Sequence, residues 1–427
     1  MPSADSRSSA PTEGRALLSW LCWAPLLVIS IAHAAFVFIY ATDVPHLDEW
    51  EALVPNALGR ELNFHWLFAF HNEHRIVWTN LLTWLLYRLD GWNLAWQIRL
   101  NFLIFLGLIG LLLRLKNRTL GPARFSGFPL FMAFLVSTIA WQNHSWGFQS
   151  QFHFVLIFTI TAVMQSNPWL MLLLLVCGMF SLSCGVPAAL AVVMVSGLRT
   201  GRFTRIAPVW AAFLASAALW FVHYEKNPGH LALTLPYMTE FWSYFFRLVG
   251  KGFGFVKPLP GEMIGMAVLA FYVYVLTRVF KMHRSKNAID DSVWSWFALM
   301  TAILAMLATI SMGRARFNIL ESRYAEIAFL LIPAVVCQIY LLIPNREMLR
   351  TTILTGVFAL SVIGYSDEFQ FGTYRWVAQQ RTEDLKCIRD YFAGRNDGSC
   401  PGQYLGPIGD RLARAKQLHV SFTDPLP

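Results

Sequence analysis

Charge is what this sequence has least of. Only 14% of its 427 residues are Asp, Glu, Lys or Arg, where a soluble globular chain carries roughly 25%. That deficit leaves too little polar surface for a water-soluble fold, and no stretch is polar enough to form a soluble domain of any size. Soluble repeats and low-complexity segments are also missing, apart from a polar N-terminus. Cysteine is sparse, with six residues. Cys22, Cys177, Cys184 and Cys337 fall in apolar runs and read as packing residues.

What remains is apolar. Hydrophobic residues make up 56% of the chain. Runs of about 20 of them recur from end to end, the length that crosses a ~30 Å hydrocarbon core. The first run, Leu17 to Tyr40, follows Arg7 and Arg15. Ala32-His33-Ala34 offers a small-residue cleavage site, but the run exceeds an ordinary signal core, so we read an uncleaved first transmembrane helix. Further runs lie at about 93–114, 127–143, 150–165, 168–182, 184–198, 206–224, 262–281, 292–312, 323–343 and 349–365. The expected architecture is an all-α polytopic membrane protein of about eleven spans.

The net charge of +9 does not point to nucleic acid, because the basic residues sit in short loops between apolar runs. With the N-terminus inside, the inner loops carry Lys116, Arg118 and Arg124; Arg199, Arg202 and Arg205; Arg278, Lys281, Arg284 and Lys286; and Arg346 and Arg350. This is the positive-inside pattern. It requires Ile76–Leu89 to be an amphipathic helix at the outer interface rather than a span. The organisation expected is a cytoplasmic segment 1–15, a multispan domain 16–365 with an outer loop 41–92, and an extracytoplasmic tail 366–427. Outer regions also include Trp141–Gln151, 225–261 and Gly313–Arg323. Cys387 and Cys400 are the two cysteines of the tail, and an outside location favours a disulfide between them.

Candidate chemistry clusters in those outer regions. The first loop reads Asp43-Val44-Pro45-His46-Leu47-Asp48-Glu49-Trp50-Glu51, four carboxylates in nine residues. Such a run is ordinarily a solvated loop, but here apolar residues interleave it. A carboxylate partly withdrawn from water there could act as a base. Next comes His71-Asn72-Glu73-His74-Arg75; a helix would put His71 and His74 on one face. The alternatives are a polar patch touching substrate, a metal pair and a plain interfacial helix. The turn Trp141 to Phe152 combines indoles, amides and a histidine, among them His144 and Gln149, as a sugar-binding surface would, although interfacial tryptophans also serve as anchors. Arg314, Arg316 and Arg323-Tyr324 lie at the outer mouths of helices, where the guanidinium fork suits a phosphate. Snorkelling or pairing with Glu321 is the alternative. Lys251 and Lys257 could contribute.

In this order the features resemble the GT-C superfamily of membrane glycosyltransferases. Asp48-Glu49 is similar to that family's first-loop acidic pair. His71–Leu89 is similar to its juxtamembrane helix, and Gly91 with Arg99 to the entry of its second span. Ser322-Arg323-Tyr324 is similar to its late Arg-Tyr. Where family members often have Pro-Pro, this chain has Asn72-Glu73-His74-Arg75, and the large soluble C-terminal domain of some members is absent.

The resemblance implies a GT-C-like bundle in a bacterial inner membrane, with its site on the periplasmic face. A sugar on a polyprenyl-phosphate carrier would be the donor; a hydroxyl of a glycan, lipid or pilin-like protein would be the acceptor. Transfer would be inverting, with Asp48 as base and Glu49 and Asp43 as alternatives. A phosphate leaving group needs no general acid. His71, Glu73, His74, Arg75, His144, Gln149, Arg314, Arg316, Arg323 and Tyr324 would contact donor or substrate. No cofactor is demanded and no metal ligand is assigned, though a divalent cation is left open. Competing classes are a transporter or flippase of lipid-linked sugars, a glycan polymerase or ligase, and a non-catalytic scaffold. Against a transporter, nearly all charges fall at helix ends, with Glu326 the nearest exception.

Overall fold

The structure is a computed structural model describing residues 12–201, 203–227, 229, 231–285, 289–317, 319–400 and 407–423. Arg7, Arg202 and Lys286 lie outside the described residues.

Backbone polar groups inside a bilayer must be satisfied within their own segment, and the helix does this. Every apolar run expected to span is helical. Among the described residues, six helical segments are long and apolar enough to cross a membrane: Trp20–Tyr40, Leu94–Leu120, Pro258–Arg284, Asp291–Phe317, Ser322–Leu342 and Glu347–Tyr365. Four more, Gly147–Val163, Pro168–Met179, Gly185–Thr200 and Ala207–Phe221, are apolar but shorter. The chain is thus a multi-pass membrane protein, with six full-length apolar helices among the described residues where about eleven spans were expected. The run 127–143 departs most. It is helical over Phe128–Leu135, then passes through a 3-10 turn at Thr138–Ala140 into Trp141–Ser145. Thr138 leaves the helix ladder because its N–H (3.3 Å) and Oγ1 (2.5 Å) both donate to the Glu368 carbonyl.

Loops gather at two ends of the bundle. At one end Arg199 pairs with Asp291 (2.7 Å), Ser292 Oγ donates to Thr119 O (2.8 Å), and Arg350 stacks on Tyr340. These are the basic loops. At the other end Phe148 N reaches Glu49 (3.1 Å), Lys251 Nζ donates to Leu320 O and Glu321 O (2.8 and 3.1 Å), and Tyr365 OH donates to Gly252 O (2.8 Å). The regions assigned outside therefore do meet.

Three helices of this end were not anticipated. Thr239–Lys251, within a stretch read as loop, buries Phe241, Tyr244, Phe245, Leu248 and Val249, an i, i+3, i+4, i+7, i+8 stripe. The tail supplies Gly372–Phe392 and Gly409–Gln417. It folds back on the loop 41–92, and Trp50, Leu53, Leu58, Trp92, Ile388 and Leu412 share a second hydrophobic core. Cys387 and Cys400 are disulfide-bonded there, with Cα atoms 5.7 Å apart.

Candidate active site

The acidic loop forms a 3-10 turn, Leu47–Leu53, entered through Leu47 at φ 43°. A leucine in the left-handed region costs conformational energy that the surrounding packing must offset. Trp50, fully buried and edge-on to Phe422 at 5.8 Å, supplies such an anchor. The turn sends its carboxylates in different directions.

Asp43 accepts from Leu94 N (2.8 Å) and Ser421 Oγ (2.6 Å), joining the start of the Leu94–Leu120 helix to the tail. Glu49 is buried and accepts from His46 N (2.9 Å) and Phe148 N (3.1 Å). Burial pushes its carboxyl up to about 7, although the Arg381 charge opposes this. Glu51 pairs with Arg411 at 3.1 Å. Asp48 is left with a side chain 35% exposed and a long contact of 3.6 Å to His71 Nε2. Burial pushes its carboxyl up, but His71, Arg323 and His46 together outweigh burial, so its net shift is below the ordinary value. Asp48 is thus an ionised carboxylate at neutral pH, within electrostatic reach of Arg323.

Arg323 is placed with care. Gln142 Oε1 accepts from Ser322 Oγ (2.9 Å) and from Arg323 N (3.2 Å), while Gln142 Nε2 donates to Glu321 (3.2 Å). Asn143 Nδ2 donates to the Arg323 carbonyl at 2.9 Å. The guanidinium carbon lies 5.4 Å from the Tyr324 ring centroid, and its buried Nε has no hydrogen-bond partner among the described residues. Tyr324 itself is buried. Arg314 is half-buried over Phe317 (5.5 Å) and Arg316 is exposed. The arginine whose charge acts on Asp48 is Arg323.

The His71–Arg75 segment is not a helix. It is a tight antiparallel hairpin in which His71 pairs with His74. Asn72 turns the chain at φ 52°, a conformation asparagine tolerates better than most residues. The histidines take different partners: His71 faces Asp48, and His74 Nδ1 meets Ser183 Oγ at 2.7 Å. Glu73 sits at the hairpin tip. Arg75 donates to the carbonyls of Trp220 (3.0 Å), Val222 (2.5 Å) and Phe68, and stacks on Phe70. It therefore braces the hairpin instead of facing a substrate. The amphipathic helix begins after it and runs Val77–Asp90.

The Trp141–Phe152 turn divides in two. Trp141, Gln142 and Trp146 line a cavity of about 520 Å³ together with His46, Trp376 and Arg381. Leu47 also borders it but Asp48 does not. His144 and Gln149 are fully buried behind it, so the structure places these two in the interior and not on a ligand-facing surface. Trp376 and Arg381 come from the tail and had no signal in the sequence.

No protein-family model, no curated protein and no solved structure matches this chain.

Proposed function

We propose that this protein is a membrane glycosyltransferase using a polyprenyl-phosphate-linked sugar, with Asp48 as the base that deprotonates the acceptor hydroxyl. The reading is supported above all by Asp48: its carboxylate faces His71 and shares its electrostatic surroundings with Arg323, whereas Asp43 and Glu49 are held by backbone N–H groups and Glu51 by Arg411. His71, 3.6 Å away, would orient the carboxylate. Arg323 would stabilise charge growing on the departing phosphate. The tryptophan-lined cavity beside the loop would take sugar rings on its indole faces and hydrogen-bond hydroxyls through Gln142 and Arg381. The basic loops at the far end would lie in the cytoplasm, the site and tail outside.

The test is transfer from a polyprenyl-phosphate sugar in membranes or detergent. Asp48→Asn should lower turnover by about 10²–10⁴-fold, the usual loss of a general base, while donor binding persists. Arg323→Ala should weaken donor binding as well. Normal turnover in Asp48→Asn would remove this loop from the chemistry.

A flippase of lipid-linked sugars is the second reading, favoured by Glu326, a carboxylate buried inside a spanning helix. Lipid-linked sugar moved across proteoliposomes without any transfer product would favour it.

A further inference from the structure

Behind the Asp48–Arg323 region, three side chains from three segments converge in the interior. His144 comes from Trp141–Ser145, His153 from Ser150–Val163 and Glu326 from Ala325–Phe329. All are buried, and one donor atom from each lies within 4.8 Å of the others. His153 Nε2 is 3.0 Å from Glu326 Oε1, and His144 Nε2 is 3.7 Å from Oε2.

The surrounding hydrogen bonds assign the protons. Asn101 Nδ2 donates to Asn143 O (2.7 Å) and Trp146 O (3.3 Å), so its Oδ1 is an acceptor. His153 Nδ1, 2.6 Å from that oxygen, must carry the proton. In the neutral ring Nε2 is then a bare lone pair. His144 is fixed by a longer chain. His33 Nδ1 donates to Val136 O (2.8 Å), so His33 Nε2 accepts the Tyr374 hydroxyl proton. The Tyr374 oxygen then accepts from His144 Nδ1 at 3.4 Å, leaving His144 Nε2 bare as well. Two imidazole lone pairs and a carboxylate thus face one another. Among the described residues His144 Nε2 has no hydrogen-bond partner, while both Glu326 oxygens lie 3.0–3.1 Å from His153 Nε2. Two lone pairs and a carboxylate at this distance call for a positive charge between them, either a proton on His153 Nε2 or a bound cation.

We propose that His144, His153 and Glu326 bind a divalent transition-metal ion, with zinc the best match. Two imidazoles and a carboxylate suit zinc and its neighbours and not the oxygen-seeking magnesium or calcium. Ligands about 2.0–2.2 Å from a tetrahedral zinc lie roughly 3.3 Å apart; the histidines stand 3.0 and 3.7 Å from the two Glu326 oxygens, and the three donor atoms lie within 4.8 Å of one another, so the set would draw together slightly around an ion. Both histidines also have the outer partner that metal-bound imidazoles need, an oxygen accepting Nδ1–H. The site is closed to solvent, so the ion would fasten the three segments together. Asn143 links it to the site in front, donating from Nδ2 both to Glu326 Oε2 (2.7 Å) and to the Arg323 carbonyl (2.9 Å). The ion would thereby set the position of Arg323.

The experiment measures metal directly and does not depend on any transferase activity. Full-length protein purified in detergent without chelator should contain about one zinc per chain by mass spectrometry. Glu326→Gln, which keeps the shape of the side chain, and His153→Ala should lose it. His65→Ala, at an exposed histidine, should keep it. Because losing a buried ligand could unfold the chain, a second arm uses the unaltered protein. Stripped with a chelator, it should take up one equivalent of Co²⁺ with visible absorption bands, and Zn²⁺ should abolish those bands and raise the unfolding midpoint. Purified protein with no more transition metal than Glu326→Gln, and no visible bands on adding cobalt, would overturn the proposal and leave a proton between His153 and Glu326.

Discussion

At the scale of single residues, neighbours decide which acid does what. Asp43, Asp48, Glu49 and Glu51 stand within nine residues, yet Asp43 ties a helix start to the tail, Glu49 is buried on two backbone N–H groups, and Glu51 pairs with Arg411. Glu49 predicts a pH signature. Burial holds its folded-state value at about 7, above the value of the unfolded chain, so the folded protein keeps an extra proton between the two. The stabilisation this gives is complete below the unfolded value and is lost as pH rises through 7. A shift of this size corresponds to roughly 3 kcal/mol. Glu49→Gln should flatten that part of the curve of unfolding midpoint against pH. At acidic pH it should also lower stability by about 1–3 kcal/mol, because its amide nitrogen faces a backbone donor, and this gap should close as pH rises through 7. Thermal unfolding in detergent from pH 5 to 8 checks both. The acidic loop stood out in the sequence as a candidate for chemistry, but the different surroundings of its members rested on partners up to 378 positions away, as with Asp43 and Ser421.

At the scale of elements, two short segments carry the site, and both break from regular helix. Gln142 pins the Ser322–Tyr324 turn through its Oε1 and reaches Glu321 through its Nε2. Gln142→Ala should therefore raise the donor KM by about tenfold, the effect of losing roughly 1.4 kcal/mol of positioning, and leave kcat closer to normal. Steady-state kinetics with varied donor reads this. The hairpin at His71–His74 carries a similar lesson. Helical spacing would have placed both histidines on one face; the turn at Asn72 instead sends His71 to Asp48 and His74 to Ser183. Local sequence there is compatible with either form. Arg75 settles it by clamping three carbonyls of two other segments.

At the scale of the whole molecule, the tail is built into the end of the bundle that carries the acidic loop and is not an appendage. Its helices close the second core over the first outer loop, and Trp376 and Arg381 complete the cavity. Replacing Cys387 by Ser opens a bridge between cysteines 13 positions apart, which should cost about 3 kcal/mol by chain entropy and lower the unfolding midpoint; a differential scan with and without reductant measures it. Reporter fusions at Lys116, Arg199 and Arg284 should read cytoplasmic and one after Tyr365 should read outside. A cytoplasmic signal after Tyr365 would reverse the assignment of the site to the outer face.

By itself the sequence determined that this chain lives in a membrane, where its apolar runs become helices and which loops are basic. Those properties follow from hydropathy and length, which act locally and need no knowledge of partners. Tertiary structure alone decided which runs are full-length helices, because Thr138 exchanges its place in a helix for the Glu368 carbonyl. It decided that His144, His153 and Glu326 meet although 182 positions separate the first from the last. It also decided that Asp48 and Arg323 share one environment. A polar residue in an apolar interior must find its partner wherever the chain folding brings one, and that search is long-range by nature.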